Sequence, residues 1–233
     1  MLTHAHKKSL TRSELARMID HTALKPETTK EQIVQLCEEA REFDFGAVCV
    51  ASARIPLAVE SLANYSVRIA SVVGFPHGNT LSAAKAFEAT KALEAGANEL
   101  DMVINVGALK SREQGVVFED IRAVVEVAKR KPGAIVKVIL ETALLTDDEK
   151  VLGCHLAEKA GADFVKTSTG FAADGATLED VALMRRVVGD RLGVKAAGSI
   201  RDLATARAMI EAGATRLGCS ASVSIIKEFH ENQ

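Results

Sequence analysis

Four times along the chain a helical pattern closes on Gly-Ala and passes straight into a short apolar run and a polar loop: "EFDFGAVCV", "ALEAGANELDMVIN", "LAEKAGADFVKTSTG" and "MIEAGATRLGCS". Glycine after a helix takes the left-handed conformation that ends it, and the β-branched run behind it is suited to a sheet. Strands separated by whole helices must pair in parallel, because a tight hairpin joins only antiparallel neighbours. Seven strands read clearly, at 47–50, 68–74, 99–105, 136–141, 164–169, 193–197 and 216–219, and a shorter eighth candidate lies at 19–22. Eight βα units in 233 residues fit one domain, 1–233, folded as a (β/α)8 TIM barrel with a short N-terminal helix. The alternative, an open doubly wound sheet, calls for a GxGxxG turn after its first strand, and the chain has none there. Thr11 with Glu14, Thr146 with Glu149, and Ser199 with Asp202 have the spacing of capping boxes and mark helix starts.

Composition narrows the class of partner. Hydrophobic residues make up 48% of the chain and charged ones 26%, enough to bury a core and stay in solution. A formal net charge of -2 gives no general pull on nucleic acid or anionic lipid, so an anion site must be local. Cys37, Cys49, Cys154 and Cys219 lack CxxC spacing and read as reduced thiols, not as a disulfide or zinc framework. "MLTHAHKKSL" has no apolar leader region and no run is long enough to span a bilayer, so a cytoplasmic enzyme is expected, without nucleic-acid or membrane partners. His4 and His6 read as part of a loose terminus rather than a metal site.

Lysine is among the residues least often buried, yet "IVKVILE", "FVKTSTG" and "GVKAAGS" each set one after valine inside a strand. Lys137, Lys166 and Lys195 stand at equal intervals of 29 residues (137 to 166 to 195), which predicts equivalent positions on three successive units. Aligning "GANELD" with "GADFVK" puts Asp101 level with Lys166, and strand alternation then turns all four side chains inward. A single such lysine would be read as a strand-end residue reaching for water. Three with an aspartate, at the strand ends that form the usual mouth of a barrel, point to a site. Two ammonium groups ~6 Å apart at an effective dielectric of ~20 repel by roughly 3 kcal/mol, about two pKa units. Burial pushes the same way, leaving one lysine a neutral amine able to form a Schiff base with a carbonyl. Asp101 is the candidate to move protons, directly or through a water.

Two glycine-containing loops, "AAGSIRD" and "RLGCSAS", follow the last two strands, where such barrels commonly bind phosphate. Gly170, Gly198, Ser199, Gly218 and Ser220 are the candidate donors, and a helix N-terminus at 199–202 would add a favourable dipole. His21 and His77 lack the partners of a metal site and read as structural. Phe171 is expected to line the mouth or pack beneath the following loop.

In order and across nearly the whole chain, "MIDHTALKPETT", "VVGFPHG", "ELDMVINVGAL", "VKVILET", "VKTSTGF", "GVKAAGSIR" and "LGCS" resemble the deoxyribose-phosphate aldolase family. The resemblance implies a class I aldolase on a (β/α)8 barrel. It would use no metal and no cofactor beyond a covalent Schiff base, and would cleave 2-deoxy-D-ribose 5-phosphate to D-glyceraldehyde 3-phosphate and acetaldehyde. It implies Lys166 as the imine-forming lysine, Lys195 as the neighbour that lowers its pKa, Asp101 as the acid/base and Asp20 as a supporting residue. Thr169 and Gly170, with the two loops, would hold phosphate, and Lys137 would orient or balance charge. Cys49 in "AVCV" is a supporting candidate on the pocket wall, although a lone thiol is by default a small buried apolar residue. The resemblance also implies a homodimer or higher homo-oligomer. Where the family often has Gly-Gly, this chain has Gly198-Ser199, and a "GTSS"-like loop reads Gly218-Cys219-Ser220-Ala221. A related Schiff-base aldolase, a phosphosugar isomerase and a silent sugar-phosphate binder are the rivals. Isomerisation calls for a glutamate base and a neutral electrophile, which leaves the paired lysines unexplained, and binding alone needs no depressed lysine.

Overall fold

The computed structural model of the protein describes residues 10–231, so His4 and His6 lie outside the described residues. Eight parallel strands follow one another around a closed barrel: β1 (Ile19–Ala23), β2 (Ala47–Val50), β3 (Arg68–Val73), β4 (Glu99–Val103), β5 (Ile135–Ile139), β6 (Phe164–Lys166), β7 (Gly193–Ala197) and β8 (Arg216–Cys219). Asp20 of β1 pairs with Ala47 on one side and Gly218 on the other, and so closes the ring. The short first strand read at 19–22 is therefore the one that removes both sheet edges.

Helices cover the barrel because their apolar residues recur every three or four positions. Helix α1 (Arg12–Arg17) precedes β1, and α2 (Lys30–Glu42) buries Ile33, Leu36, Cys37 and Ala40 along one stripe. The remaining helices are α3 (Ile55–Ser61), α4 (Ser82–Glu94), α5 (Val106–Lys110), α6 (Gln114–Ala128), α7 (Asp147–Ala160), α8 (Leu178–Val188), α9 (Leu203–Glu211) and α10 (Ser222–Glu231). Capping boxes form at Thr11–Glu14 and Thr146–Glu149 as the spacing predicts, and a third forms at Thr29–Gln32. Gly96, Gly161 and Gly213 follow their helices at positive φ as expected. In the first repeat Asp44, at φ 56, makes the turn instead of Gly46.

The apolar core lies between barrel and helices. Val48, Val50, Leu100, Met102, Val136, Val138, Val165 and Val194 face outward into it from the strands. The barrel axis, by contrast, is charged: Asp20, Glu99, Asp101, Lys137, Lys166 and Lys195 are all buried there. Buried charges at this density are tolerable only when paired with one another. At the amino end of the strands the Phe164 ring occupies the space beside Gly193, where any side chain would overlap it.

Three expectations need revising. Strand β6 ends at Lys166 instead of running to 169, because the Thr167 hydroxyl takes over the ladder: it accepts from Ala197 N at 3.1 Å and donates to Ala197 O at 3.2 Å. Ser199 does not cap a helix. It sits at φ 64, and α9 is capped three residues later by Asp202, whose Oδ1 accepts from Thr205 N at 2.7 Å. A carboxylate thus already occupies the positive end of α9, so that dipole is not free for a phosphate. The lysines, finally, are not level. Asp101 pairs with Lys137, Lys137 with Phe164, Ile139 with Lys166, and Lys166 with Lys195. The ladder staggers Lys137 by two residues against Lys166, which preserves the inward face but places Lys137 one layer deeper.

Candidate active site

Lys166 ends β6 at the carboxyl side of the barrel, the side on which (β/α)8 enzymes build their sites. It borders a cavity of about 570 Å³ shared with Thr22, Thr169, Gly170, Gly198, Ser199, Gly218 and Ser220. All five expected phosphate donors therefore line one space with the expected imine lysine. Of the charged groups along the axis, Lys166 is the one that borders this cavity; Asp20, Asp101, Lys137 and Lys195 lie behind it.

Asp101 is the hub. Its Oδ2 accepts from Lys166 Nζ at 2.8 Å and from Lys195 Nζ at 2.7 Å, and its Oδ1 accepts from Lys137 Nζ at 2.7 Å. Lys195 also pairs with Asp20, whose Oδ1 holds Arg216 Nη1 at 2.7 Å. Lys137 reaches Glu99 Oε2 at 2.5 Å and Asp20 Oδ2 at 3.5 Å. Sharing one carboxylate oxygen brings Lys166 and Lys195 inside the ~6 Å separation used for the repulsion argument.

The two lysines have opposite fates. Burial pushes the proton affinity of Lys166 down; Asp101 opposes this and the Lys195 charge reinforces it, and the net shift is downward. Burial acts on Lys195 too, but Asp101 and Asp20 outweigh it and hold Lys195 as a cation, its affinity raised. Burial alone would raise Asp101, yet Lys137, Lys166 and Lys195 together keep it well below the usual carboxylate range. Burial is thus the leading cause at Lys166 and the neighbouring ammonium a supporting one, the reverse of the emphasis taken from spacing.

Cys49 faces inward beside Thr22 and Ala70, fully buried, and packs with Ala70 and Val72 against Leu24 and Phe75. Burial pushes its thiol up to about 11, so it is a protonated apolar wall at neutral pH. The Thr169 hydroxyl is turned to Glu141, to which it donates, and accepts from Phe171 N at 3.1 Å. It braces the loop carrying Gly170 and is not free to hold a phosphate itself. Phe171 is 48% exposed and meets Phe75 edge-on at 5.2 Å on the rim of the cavity, which it borders. His21 is structural as expected, with Nε2 2.7 Å from Glu39 and Nδ1 3.0 Å from Ser222 Oγ.

Sequence reasoning missed Glu99, Arg216, Glu141 and Arg201. Glu99 lies two residues before Asp101 on β4, and Arg216 two before Gly218 on β8, so strand alternation would have found both. Glu141, at φ 58, is a buried carboxylate at the end of β5 that also accepts from Thr169 N at 3.2 Å. Arg201 borders the cavity near Ser199 and adds a cation to the expected phosphate side. Among the described residues no group of three or more His, Cys, Asp or Glu side chains could hold a metal ion, and no helix is long and apolar enough to cross a membrane.

Barrel, mouth and buried amine define the class, a (β/α)8 enzyme with its site at the carboxyl ends of the strands. Residues 15–225 match the model of the DeoC/LacD family aldolase. A deoxyribose-phosphate aldolase of Halalkalibacterium halodurans is 58% identical over 213 residues, 91% of this chain and 94% of that protein. Deoxyribose-phosphate aldolase 1 of Bacillus licheniformis is 57% identical over 214 residues, 92% and 95% of the two chains. The tetrameric deoxyribose phosphate aldolase structure from Aeropyrum pernix superimposes with a TM-score of 0.89 at 33% identity, over 96% of this chain and 94% of that one. The chain belongs to the DeoC/LacD family of aldolases, and is accordingly a lyase.

Proposed function

We propose that the chain reversibly cleaves 2-deoxy-D-ribose 5-phosphate to D-glyceraldehyde 3-phosphate and acetaldehyde through a Schiff base on Lys166. The observation that carries this reading is the placement of one amine of lowered proton affinity on a cavity that is also lined by two glycine loops. The named activity of the relatives supports the same substrate.

In the cleavage direction the neutral Lys166 amine adds to C1 of the open-chain sugar, and loss of water leaves an iminium. The C3 hydroxyl gives up its proton, the C2–C3 bond breaks, and its electron pair moves into the iminium to form an enamine. Glyceraldehyde 3-phosphate departs with C3 as its new aldehyde. A proton returns to C2, and water hydrolyses the imine to release acetaldehyde and the free amine. Asp101, within hydrogen-bond distance of both Lys166 and Lys195, is the group through which these protons pass. Lys195 stays charged and stabilises the carboxylate, and Asp20 holds Lys195 in place. Backbone donors at Gly170, Gly198, Ser199, Gly218 and Ser220, with Arg201, receive the phosphate. No cofactor or metal enters these steps. The reading carries over the cytoplasmic location and a homo-oligomer, the latter supported by the tetrameric relative and read by sedimentation.

Borohydride added with acetaldehyde or the phosphosugar should fix an adduct on Lys166, located by mass spectrometry. Lys166→Leu should abolish it, and chelator should leave turnover unchanged. An adduct on another lysine, or full turnover in Lys166→Leu, would sink the assignment.

A further inference from the structure

The charges along the barrel axis form a closed ring. Arg216 bridges Asp20 Oδ1 at 2.7 Å and Glu99 Oε1 at 3.4 Å. Lys137 bridges Glu99 Oε2 at 2.5 Å and Asp101 Oδ1 at 2.7 Å. Lys195 bridges Asp101 Oδ2 at 2.7 Å and Asp20 Oδ2. Three cations thus alternate with three carboxylates, and every carboxylate oxygen is taken by a ring cation. All three carboxylates are fully buried, and Arg216 is 14% exposed. Lys166 stands outside the ring, attached to an oxygen of Asp101 that Lys195 already occupies. The three cations and three carboxylates of the ring balance without Lys166, so a proton on Lys166 adds a charge for which the ring has no carboxylate left over. From the rim Arg68, its side chain 37% exposed, also reaches Glu99 Oε1 through Nε at 2.8 Å and donates through Nη2 to the Gly133 carbonyl, so it shares that oxygen with Arg216.

We propose that Arg216 and Glu99, at the far end of the axis from the cavity, are positioning residues that set the proton affinity of Lys166 by fixing the charge balance of this ring. Neither touches the reacting atoms. Lys166 is faced by Asp101 from β4, Lys195 from β7 and the protonated Cys49 from β2. Arg216 is faced by Asp20 from β1, Glu99 from β4 and the Phe164 ring from β6. Removing Arg216 leaves the axis one charge more negative and favours the ammonium form of Lys166. Removing the Glu99 charge leaves it one charge more positive and favours the amine. The inference rests on the proposed Schiff base.

The test is the pH dependence of acetaldehyde trapping on Lys166 by cyanoborohydride, with the midpoint of the acid limb read from mass spectra. A midpoint does not depend on the fraction of chain that is folded. Arg216→Met should move it up by about one pH unit, the effect of a unit charge roughly 10 Å away at an effective dielectric of about 20. Glu99→Gln should move it down by a similar amount, Arg216→Lys should leave it in place, and the double variant Arg216→Met with Glu99→Gln should restore it. A merely structural role would lower the amplitude of trapping in both variants without opposite shifts. Unmoved midpoints, or shifts in one direction only, overturn the inference while normal trapping in the parent protein preserves the Schiff base. Absence of trapping in the parent overturns both. Should Arg216→Met fail to fold, Glu99→Gln decides alone: a downward shift supports the ring and an unmoved midpoint refutes it.

Discussion

Lys166 and Lys195 are the same residue type on paired positions of neighbouring strands and bind the same oxygen of Asp101, yet only one keeps its proton easily. The difference is the company each keeps: Lys195 has a second carboxylate, Asp20, and Lys166 has none beyond Asp101. Replacing Lys195 by leucine should therefore lower aldol turnover by about 100-fold, the order lost when one preorganised electrostatic partner is removed. It should also move the acid limb of the remaining activity upward, because the cation that disfavours a proton on Lys166 is gone. Rate–pH profiles check both, and an unshifted limb would remove Lys195 from the tuning of Lys166. The residue types of this site were legible in the sequence, since valine–lysine inside a strand is rare enough to notice. Which lysine would be neutral was not legible from spacing, and only the family resemblance pointed to Lys166. The difference depends on Asp20, whose side chain comes from the opposite end of the chain.

Helix α7, strand β6 and the loops around them were largely legible as elements. Thr146 and Glu149 box one end of α7, and Gly161 closes the other at φ 85. The ends of the strands were less so, because side chains such as Thr167 replace ladder bonds in a way that no periodicity announces. Glu141 plays a related part between elements. It holds the loop after β6 through the Thr169 hydroxyl and amide, and keeps a left-handed backbone that for a non-glycine residue costs of order 1–3 kcal/mol. Such a backbone persists where surrounding bonds enforce it. Glu141→Ala should loosen the loop bearing Gly170 and raise KM for deoxyribose 5-phosphate about 10-fold. Trapping of acetaldehyde, which carries no phosphate, should be nearly unchanged. Equal losses with both compounds would mean that Glu141 supports the barrel at large and not the phosphate side.

Over the whole molecule, counting βα units gave closure of the barrel, but the stagger between strands could not be counted. The equal interval of 29 residues fixes the face of Lys137 and Lys166, while their depth depends on the shear of the ladder. Closure also concentrates charge on the axis, with consequences for stability. Asp20 and Asp101 are held below their ordinary value of 3.8, so their contribution is present above that pH and is lost as pH falls through the lower folded values. Lys137 and Lys195 are raised above 10.5, so theirs is present below that pH and lost as pH rises through the higher folded values. Urea unfolding should therefore show these four contributions undiminished between pH 3.8 and 10.5, with a further gain as pH rises toward 10.5 because the lowered proton affinity of Lys166 penalises the fold less there. Asp101→Asn should lose about 3–5 kcal/mol across this range, the cost of breaking a buried ion pair, and an unchanged urea midpoint would refute the network as a source of stability. The Phe164 ring, lodged beside Gly193 at the end of the barrel away from the cavity, bears on traffic as well as packing. With the ring narrowing that end, the cavity beside Lys166 is the entrance for aldehyde and phosphosugar, and on the proposed Schiff base the tethered group would be the innermost cargo. Exit would then be ordered: the phosphorylated half of a cleaved sugar should clear the cavity before the two-carbon half follows.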